Sequence, residues 1–461
     1  MRHVITVDFG STFTKIVVID VEKRKILLSG KVPSSVGTDA SIGLEHCFEL
    51  AKTVISEKEF ENALKLASSS AAGGLRMSVI GLTNSLSTLA GGSAALSAGA
   101  KIIANYSGLL TEKELTELEK SDTEIILLCG GYEHGNTSLV WENANMLAQS
   151  KVNVPIIYSG NSVLDKEIRR IMETHKKQCF IIENIIPKLG MLNVKPTQNV
   201  IRNLFLDHIT DMKGFNVVKK EFNNPLVPTP VAVLAAGELL NRGTGSQEGL
   251  GPLLIIDVGG ATTDVYSFNE NKSYQGAKVI GCEEPFGKRT VEGDLGMRES
   301  SSGVMKESYL SAAAEELQIA EDLLRSSIRT RTQHIDYLPD SEMEARIDDR
   351  IAKTAVYVAT RRHAGTISPS YSKKCQNIQS GKNLTEVSTV IGTGGILVHN
   401  QHPIEILQSA EKNSRDEDAL LPEKVNIYLD TEYVLFSAGL LKEIDEDIAF
   451  EIMMKSIRRC E

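Results

Sequence analysis

Apolar and polar positions alternate with a period of two at the start of the chain, which predicts three short strands. Val4 to Asp8, Thr14 to Asp20 and Ile26 to Val32 are rich in β-branched residues. Gly10-Ser11-Thr12 and the charged Glu22-Lys23-Arg24-Lys25 separate them. From about 51 to 190 the pattern changes to helix-period stretches alternating with short apolar strands such as Ser78–Gly81, Glu124–Leu128 and Pro155–Tyr158. Pro225, Pro228 and Pro230 then lead into Val231–Leu240, a small-residue helix opened by proline. Beyond the polar Asn241–Ser246, Leu253 to Asp257 and Thr263 to Phe268 repeat the strand–turn–strand pattern of the first residues. One helix is predicted over Tyr309–Arg329, another over Asp340–Arg361, and a surface loop over Ser368–Lys382.

With 461 residues and 41% hydrophobic positions, the chain holds material for at least two cores. Lys plus Arg number 50 against 60 Asp plus Glu, a formal charge of -10. That balance lacks the positive field that nucleic-acid binding needs, so no nucleic-acid partner beyond a free nucleotide is expected. The six cysteines show no C-x-x-C and no zinc spacing, and read as reduced thiols. Met1 to Asp8 is too short and too soon charged for a signal peptide, and no apolar run reaches the roughly 18–20 residues of a membrane span. A cytoplasmic chain without a membrane partner is the expectation.

Two similar turns carry the candidate chemistry. Val7-Asp8-Phe9-Gly10-Ser11-Thr12-Phe13-Thr14-Lys15 and Ile256-Asp257-Val258-Gly259-Gly260-Ala261-Thr262-Thr263-Asp264 each end a strand on Asp and continue with glycine and hydroxyl residues. Glycines let backbone N–H groups approach phosphate oxygens, and Ser11, Thr12, Thr262 and Thr263 add hydroxyl donors. Asp8 and Asp257 can each hold a hydrated Mg²⁺, which prefers few carboxylates and several waters. Lys15 stands at a spacing from which it can reach back to phosphates. A third element, Val390 to Leu397, places Gly392, Gly394 and Gly395 where a flat purine or ribose can lie on backbone. Two such turns facing each other would clamp a triphosphate from both sides, with Asp8 and Asp257 as the catalytic and metal-holding carboxylates. Glu238 and Asp264 are further candidates for a water-orienting base.

These elements, in this order, resemble the sugar kinase, heat-shock-70 and actin ATPase superfamily. Asp8–Lys15 and Asp257–Asp264 look like its two phosphate motifs and Gly392–Gly395 like its adenosine motif. Pro228–Leu240 and Tyr433–Leu441 look like its connecting helices. Within it the chain resembles the MutL family associated with glutamate mutase, unrelated to the mismatch-repair protein of that name. Ser68–Met77, Thr290–Arg298 and Arg361–Gly365 carry that resemblance; Cys129, Tyr132 and Glu133 depart from it within an intact Gly130-Gly131 and Gly135-Asn136 frame.

The resemblance implies an α/β, two-domain actin-like ATPase (ribonuclease H-like) fold, with duplicated β-sheet domains around a nucleotide cleft and with ATP and Mg²⁺ as the cofactors held there. The domains are 1–240, carrying an α/β insertion at about 51–220, and 241–461. It also implies an ATPase that reactivates or chaperones an adenosylcobalamin-dependent mutase of the glutamate mutase or aminomutase type, whose subunits are its partners. A small-molecule kinase of the same fold is the alternative. An iron–sulfur electron donor using Cys129 and Cys179 is disfavoured by their spacing and surroundings. Arg76 reads equally as a phosphate or partner contact and as a surface arginine. Glu292, Asp294 and Arg298 read as a polar loop, and Arg361-Arg362-His363 as a basic helix end favoured by the helix dipole.

Overall fold

The computed structural model describes residues 2–10, 12–70, 75–84, 86–135, 137–210, 213–370 and 377–460. The chain divides into two compact units: Met1–Val233 with Gly281–Glu283, and Leu234–Ile280 with Glu284–Glu461.

The first unit opens with β1 (His3–Phe9), β2 (Phe13–Asp20) and β3 (Lys25–Pro33), an antiparallel meander, and β4 (Leu64–Ser69) then pairs parallel to β1. Every position of β1 is buried, as expected of a central strand covered on both faces. The chain next builds a second sheet from β5 (Arg76–Gly81), β6 (Lys101–Ser107), β7 (Ile125–Gly130), β8 (Ile156–Gly160) and β9 (Cys179–Ile181). All its pairings are parallel, in the order β6-β5-β7-β8-β9 of a doubly wound sheet. One of its helices is capped by its own sequence: Thr111 and Glu114 form a reciprocal capping box before Glu112–Lys120. After the helices Lys195–Thr210 and Phe215–Glu221, β10 (Val227–Pro228) returns to the first sheet beside β4, giving the order β10-β4-β1-β2-β3.

The two sheets of this unit share one apolar core. Val7 and Phe9 of β1, Val79 of β5, Leu127 of β7, and Phe205 and Phe215 of the helices belong to a single buried cluster. Phe9 and Phe215 stand with ring centroids 5.3 Å apart.

The second unit repeats the first sheet's scheme. It contains β11 (Leu253–Val258), β12 (Thr263–Phe268), β13 (Lys278–Ile280), β14 (Gly287–Glu292), β15 (Thr366–Pro369), β16 (Asn377–Ser380), β17 (Thr389–Thr393), β18 (Asn426–Asp430) and β19 (Ile457–Arg459). The main order is β14-β12-β11-β17-β18-β19, in which β11, β12 and β14 form an antiparallel meander. Strand β17 runs parallel to β11, and β18 parallel to β17. Thus β11, β12, β14, β17 and β18 stand to one another as β1, β2, β3, β4 and β10 do. The duplicated α/β fold expected from the sequence is what the chain adopts.

Two expectations fail. The single helix over 309–329 is two, Glu307–Leu317 and Glu321–Gln333. Gln318 takes a left-handed conformation (φ 57°) and Ala320 is extended, which stops one helix and starts the next. Both helices bury one face at helical spacing, so their apolar pattern reads straight across the break. Of the surface loop expected over 368–382, residues 371–376 lie outside the described residues, and the rest instead carries the end of β15 and all of β16, an antiparallel pair that joins β13 in a small sheet. No helix among the described residues is long and apolar enough to cross a membrane.

Candidate functional site

The two turns are built alike. Asp8 lies opposite Lys15 across β1–β2, and Asp257 lies opposite Asp264 across β11–β12, at one constant sequence offset. In the first turn the Gly10 N–H donates to Phe13 O at 3.1 Å; in the second Gly259 N–H donates to Thr262 O at 2.9 Å. A β-carbon on Gly10 would stand 2.7 Å from Phe13 O, so that position admits no side chain without distortion.

In the first unit Asp8 is 2% exposed. Ser68 of β4, its register partner, donates a hydroxyl to Asp8 Oδ1 at 2.8 Å, and Thr229 donates to the same oxygen. No described residue donates to Oδ2. Lys15 is half-buried and directly opposite Asp8, hence on the same face of the sheet. Thr12 is exposed, and Ser34 at the end of β3 braces the turn, its N–H on Thr12 O (2.9 Å) and its hydroxyl on Gly10 O (2.7 Å). Ser11 lies outside the described residues.

In the second unit Asp257 is half-buried and Gly260 exposed. Gly394 has φ +100°, and a β-carbon there would meet Val258 O at 2.4 Å and Asp257 Oδ1 at 2.9 Å. The third glycine element therefore lies directly against the second turn. Gly395 faces open space, whereas a β-carbon on Gly392 would strike Leu407 at 2.6 Å, so Gly392 serves core packing. Tyr433 is also close: burial, then the negative charges of Asp257 and Asp430, push its phenol up to about 12. Thr262 Oγ1 reaches Asp264 Oδ2 at 3.3 Å. Thr263 is fully buried and donates its hydroxyl to Leu295 O at 2.6 Å, so it has no proton left to offer a phosphate.

Asp264 and Glu238 are committed to cations. Arg289 holds Asp264 at 2.7 Å, and Lys442 reaches Glu238 at 3.1 Å.

The family-like segments also find partners. Main-chain N–H groups of Met297 and Arg298 donate to Gly259 O (3.0 Å) and Gly260 O (2.8 Å), and Ser300 Oγ donates to Ala261 O. The segment ending at Arg298 is thus a brace under the second turn. Arg298 does not join Glu292 and Asp294; it grips Asp348 with both terminal nitrogens, and the fully buried Arg331 holds the same carboxylate at 2.7 Å.

Glu292 and Asp294 instead pair with Arg362, at 2.6 and 2.7 Å. Arg362's hydrogen bonds hold the Asp294 carboxyl well below its usual range. Arg361 pairs with Asp416 and Asp418, and buried His363 sits between Thr290 and Ser267. This basic helix end is organised by ion pairs and core hydrogen bonds, beyond a dipole effect. Arg76 is bound to Glu124 at 2.9 Å, while Gly73-Gly74 and Asn136 lie outside the described residues. Cys129 is fully buried with its thiol on Ser87 O, and burial raises it to about 12. Cys179 lies two strands away on β9. Neither arrangement suits a shared cluster.

Two sheets of one order, each with Asp one residue before the end of its first strand and a glycine turn after it, define the actin-like ATPase class of fold. The model of the MutL protein family matches residues 4–457, and the chain belongs to that family. A Clostridium tetanomorphum protein described as Protein MutL is 39% identical over 457 residues, covering 99% of each chain. Among solved structures, Plasmodium falciparum glycerol kinase with ADP aligns over 100% of this chain and 94% of its own, at 10% identity and TM-score 0.37. The ethanolamine utilization protein EutJ of Carboxydothermus hydrogenoformans aligns over 95% and 89%, at 10% identity and TM-score 0.29. Likenesses this loose bear on neither activity nor ligand.

Proposed function

We propose that the chain binds and hydrolyses Mg·ATP, using phosphate turns of this repeated kind. The carrying observation is the repeated hairpin: a carboxylate at the strand end, a glycine N–H bond closing the turn, and the same cross-strand register twice. Gly10, Gly259 and Gly260 would offer main-chain donors, Thr12 and Thr262 hydroxyls, and Lys15 a positive charge on the Asp8 face. Gly394 and Gly395 would leave backbone open for the nucleoside.

The donor set fits a hydrated Mg²⁺. Among the described residues none donates to Asp8 Oδ2, and Asp257 is half-buried at the matching position. No described group of three or more His, Cys, Asp or Glu forms a metal cage, and hydrated Mg²⁺ needs none. Asp8 would hold it through water, with Asp257 the equivalent residue of the second turn, and when bound the ion would neutralise phosphate charge.

The partner in this reading is an adenosylcobalamin-dependent mutase, reactivated or chaperoned according to nucleotide state. Support for that half comes from the family resemblance carried by Thr290–Arg298 and Arg361–Gly365. A fluorescent ATP analogue titrated with and without Mg²⁺ tests the first half; one saturable Mg²⁺-dependent site per chain is expected, with phosphate released in the absence of any acceptor. Retention of an adenosylcobalamin enzyme that differs between ATP and ADP tests the second, and indifference to nucleotide would remove it.

A further inference from the structure

Asp8 is more deeply buried than Asp257, and its surroundings are more specific. A carboxylate 2% exposed needs donors, and this one receives two, Ser68 and Thr229, both on Oδ1. A hydroxyl has one proton, so each side chain spends its only donor there. The result is a carboxylate with one oxygen fixed by protein and the other free of described donors.

Ser68 lies on the neighbouring strand, 60 residues away, and belongs to the rigid sheet. Thr229, 221 residues away, is the first residue of the helix Thr229–Arg242. The boundary between the two units, Val233/Leu234, falls inside that helix. One hydrogen bond therefore joins the turn carboxylate to the first turn of the helix through which the chain leaves the first unit.

We propose that Thr229 is a positioning residue: its hydroxyl orients Asp8 so that Oδ2 faces the water shell of the nucleotide's divalent cation, and it passes the carboxylate's state to the start of this helix. The proposal rests on the Mg·ATP reading above. A hydroxyl bound to a carboxylate is a charge-assisted bond, stronger than a neutral one and sensitive to the charge it serves. A cation drawing on Asp8 would weaken the bond to Thr229, and the helix start would feel the difference.

The test compares Thr229→Val, which keeps the shape and removes the hydroxyl, with Thr229→Ser, which keeps the hydroxyl. For Thr229→Val the Mg²⁺ concentration giving half-maximal ATP turnover should rise about tenfold, the worth of one such bond, while kcat at saturating Mg²⁺ changes less than about twofold. Thr229→Ser should restore the wild-type Mg²⁺ dependence. Hydrogen exchange at the amides of 231–235 should change on adding Mg·ATP to wild type and Thr229→Ser, and not in Thr229→Val.

An unaltered Mg²⁺ dependence and exchange response in a folded Thr229→Val overturns the proposal, as does a Thr229→Ser variant as impaired as the valine. Should Thr229→Val not fold, Ser68→Ala removes the other donor; a raised Mg²⁺ requirement with the exchange response intact is then expected, and an unchanged requirement overturns the proposal. A wild-type chain that binds no Mg·ATP overturns this inference together with the reading beneath it. Wild-type binding with an indifferent Thr229→Val overturns this inference alone.

Discussion

The first and second turns share their backbone and differ in almost everything attached to it. Opposite Asp8 stands Lys15; opposite Asp257 stands Asp264, itself neutralised by Arg289. The first turn is braced by serines of its own sheet: Ser34 just beyond β3 on Gly10 O, and Ser69 and Ser70 at the end of β4 on Phe9 O. The second is braced by the segment before Ser301, which is anchored through Arg298 to Asp348 and Arg331 on two helices. The two turns share the geometry that presents backbone N–H groups, where small changes would be felt. Charge and bracing have been free to diverge, because each copy needs only to be electrically balanced in its own surroundings.

Ways to break this comparison differ in size. Arg331→Ala should have the largest effect, because it leaves Asp348 buried with one cation fewer; a loss of about 3–5 kcal/mol is expected in denaturant unfolding. Ser34→Ala, the first turn's counterpart, should cost only about 1 kcal/mol. Similar losses for the two would show that the braces are equivalent.

Asp8→Asn should reduce ATP turnover on the order of a hundredfold with the fold retained, since the amide oxygen can still accept the two hydroxyls. Asp257→Asn should cost about tenfold, because a half-buried site admits compensating water. Steady-state hydrolysis measures both, and equal losses would contradict the asymmetry. Gly10→Ala should destabilise by about 1–3 kcal/mol through its clash with Phe13 O. Gly259→Ala, whose β-carbon would lie 3.1 Å from Thr262 O, should cost less in the same melts.

A pH slope is expected of the second unit. Lys382 is fully buried with Nζ donating to Pro285 O and Phe286 O, and burial lowers it from 10.5 to about 7. Between pH 7 and 10.5 the unfolded chain holds this proton and the folded chain does not, so the group favours folding increasingly as pH rises through that window and disfavours it below. Lys382→Met should flatten the rise, as read from unfolding at a series of pH values.

The sequence made the repeated hairpin legible because its signal is local: a β-branched run, Asp, glycine and a second run within about a dozen residues. The helix entered by proline was legible for the same reason. What escaped depends on distant pairing. Nothing near Asp8 announces Ser68 or Thr229, and nothing near Asp348 announces that Arg298 and Arg331 will meet on it. Thr263 looks like its neighbour Thr262, yet strand alternation turns one inward to Leu295 and the other outward. The left-handed Gln318 carries no glycine to mark it, so two helices read as one. Glu292 and Arg298 share a segment and even a polar character, but the β14 strand ends between them and sends them to different partners.

The inserted sheet enters after Ser69 and leaves at Val227, and β10 pairs with the very residues, Ser68 and Ser69, where β4 ends. A short linker would bridge those ends, so in outline the insertion is a removable cassette. Its helix Phe215–Glu221, however, packs Phe215 on Phe9 of β1, and Phe205 of Lys195–Thr210 belongs to the same buried cluster. A chain shortened between 70 and 226 would have its hydrogen-bonded frame intact and its sheet stripped on one side, and should precipitate rather than fold. In this protein the added region and the ancestral sheet have become obligate companions.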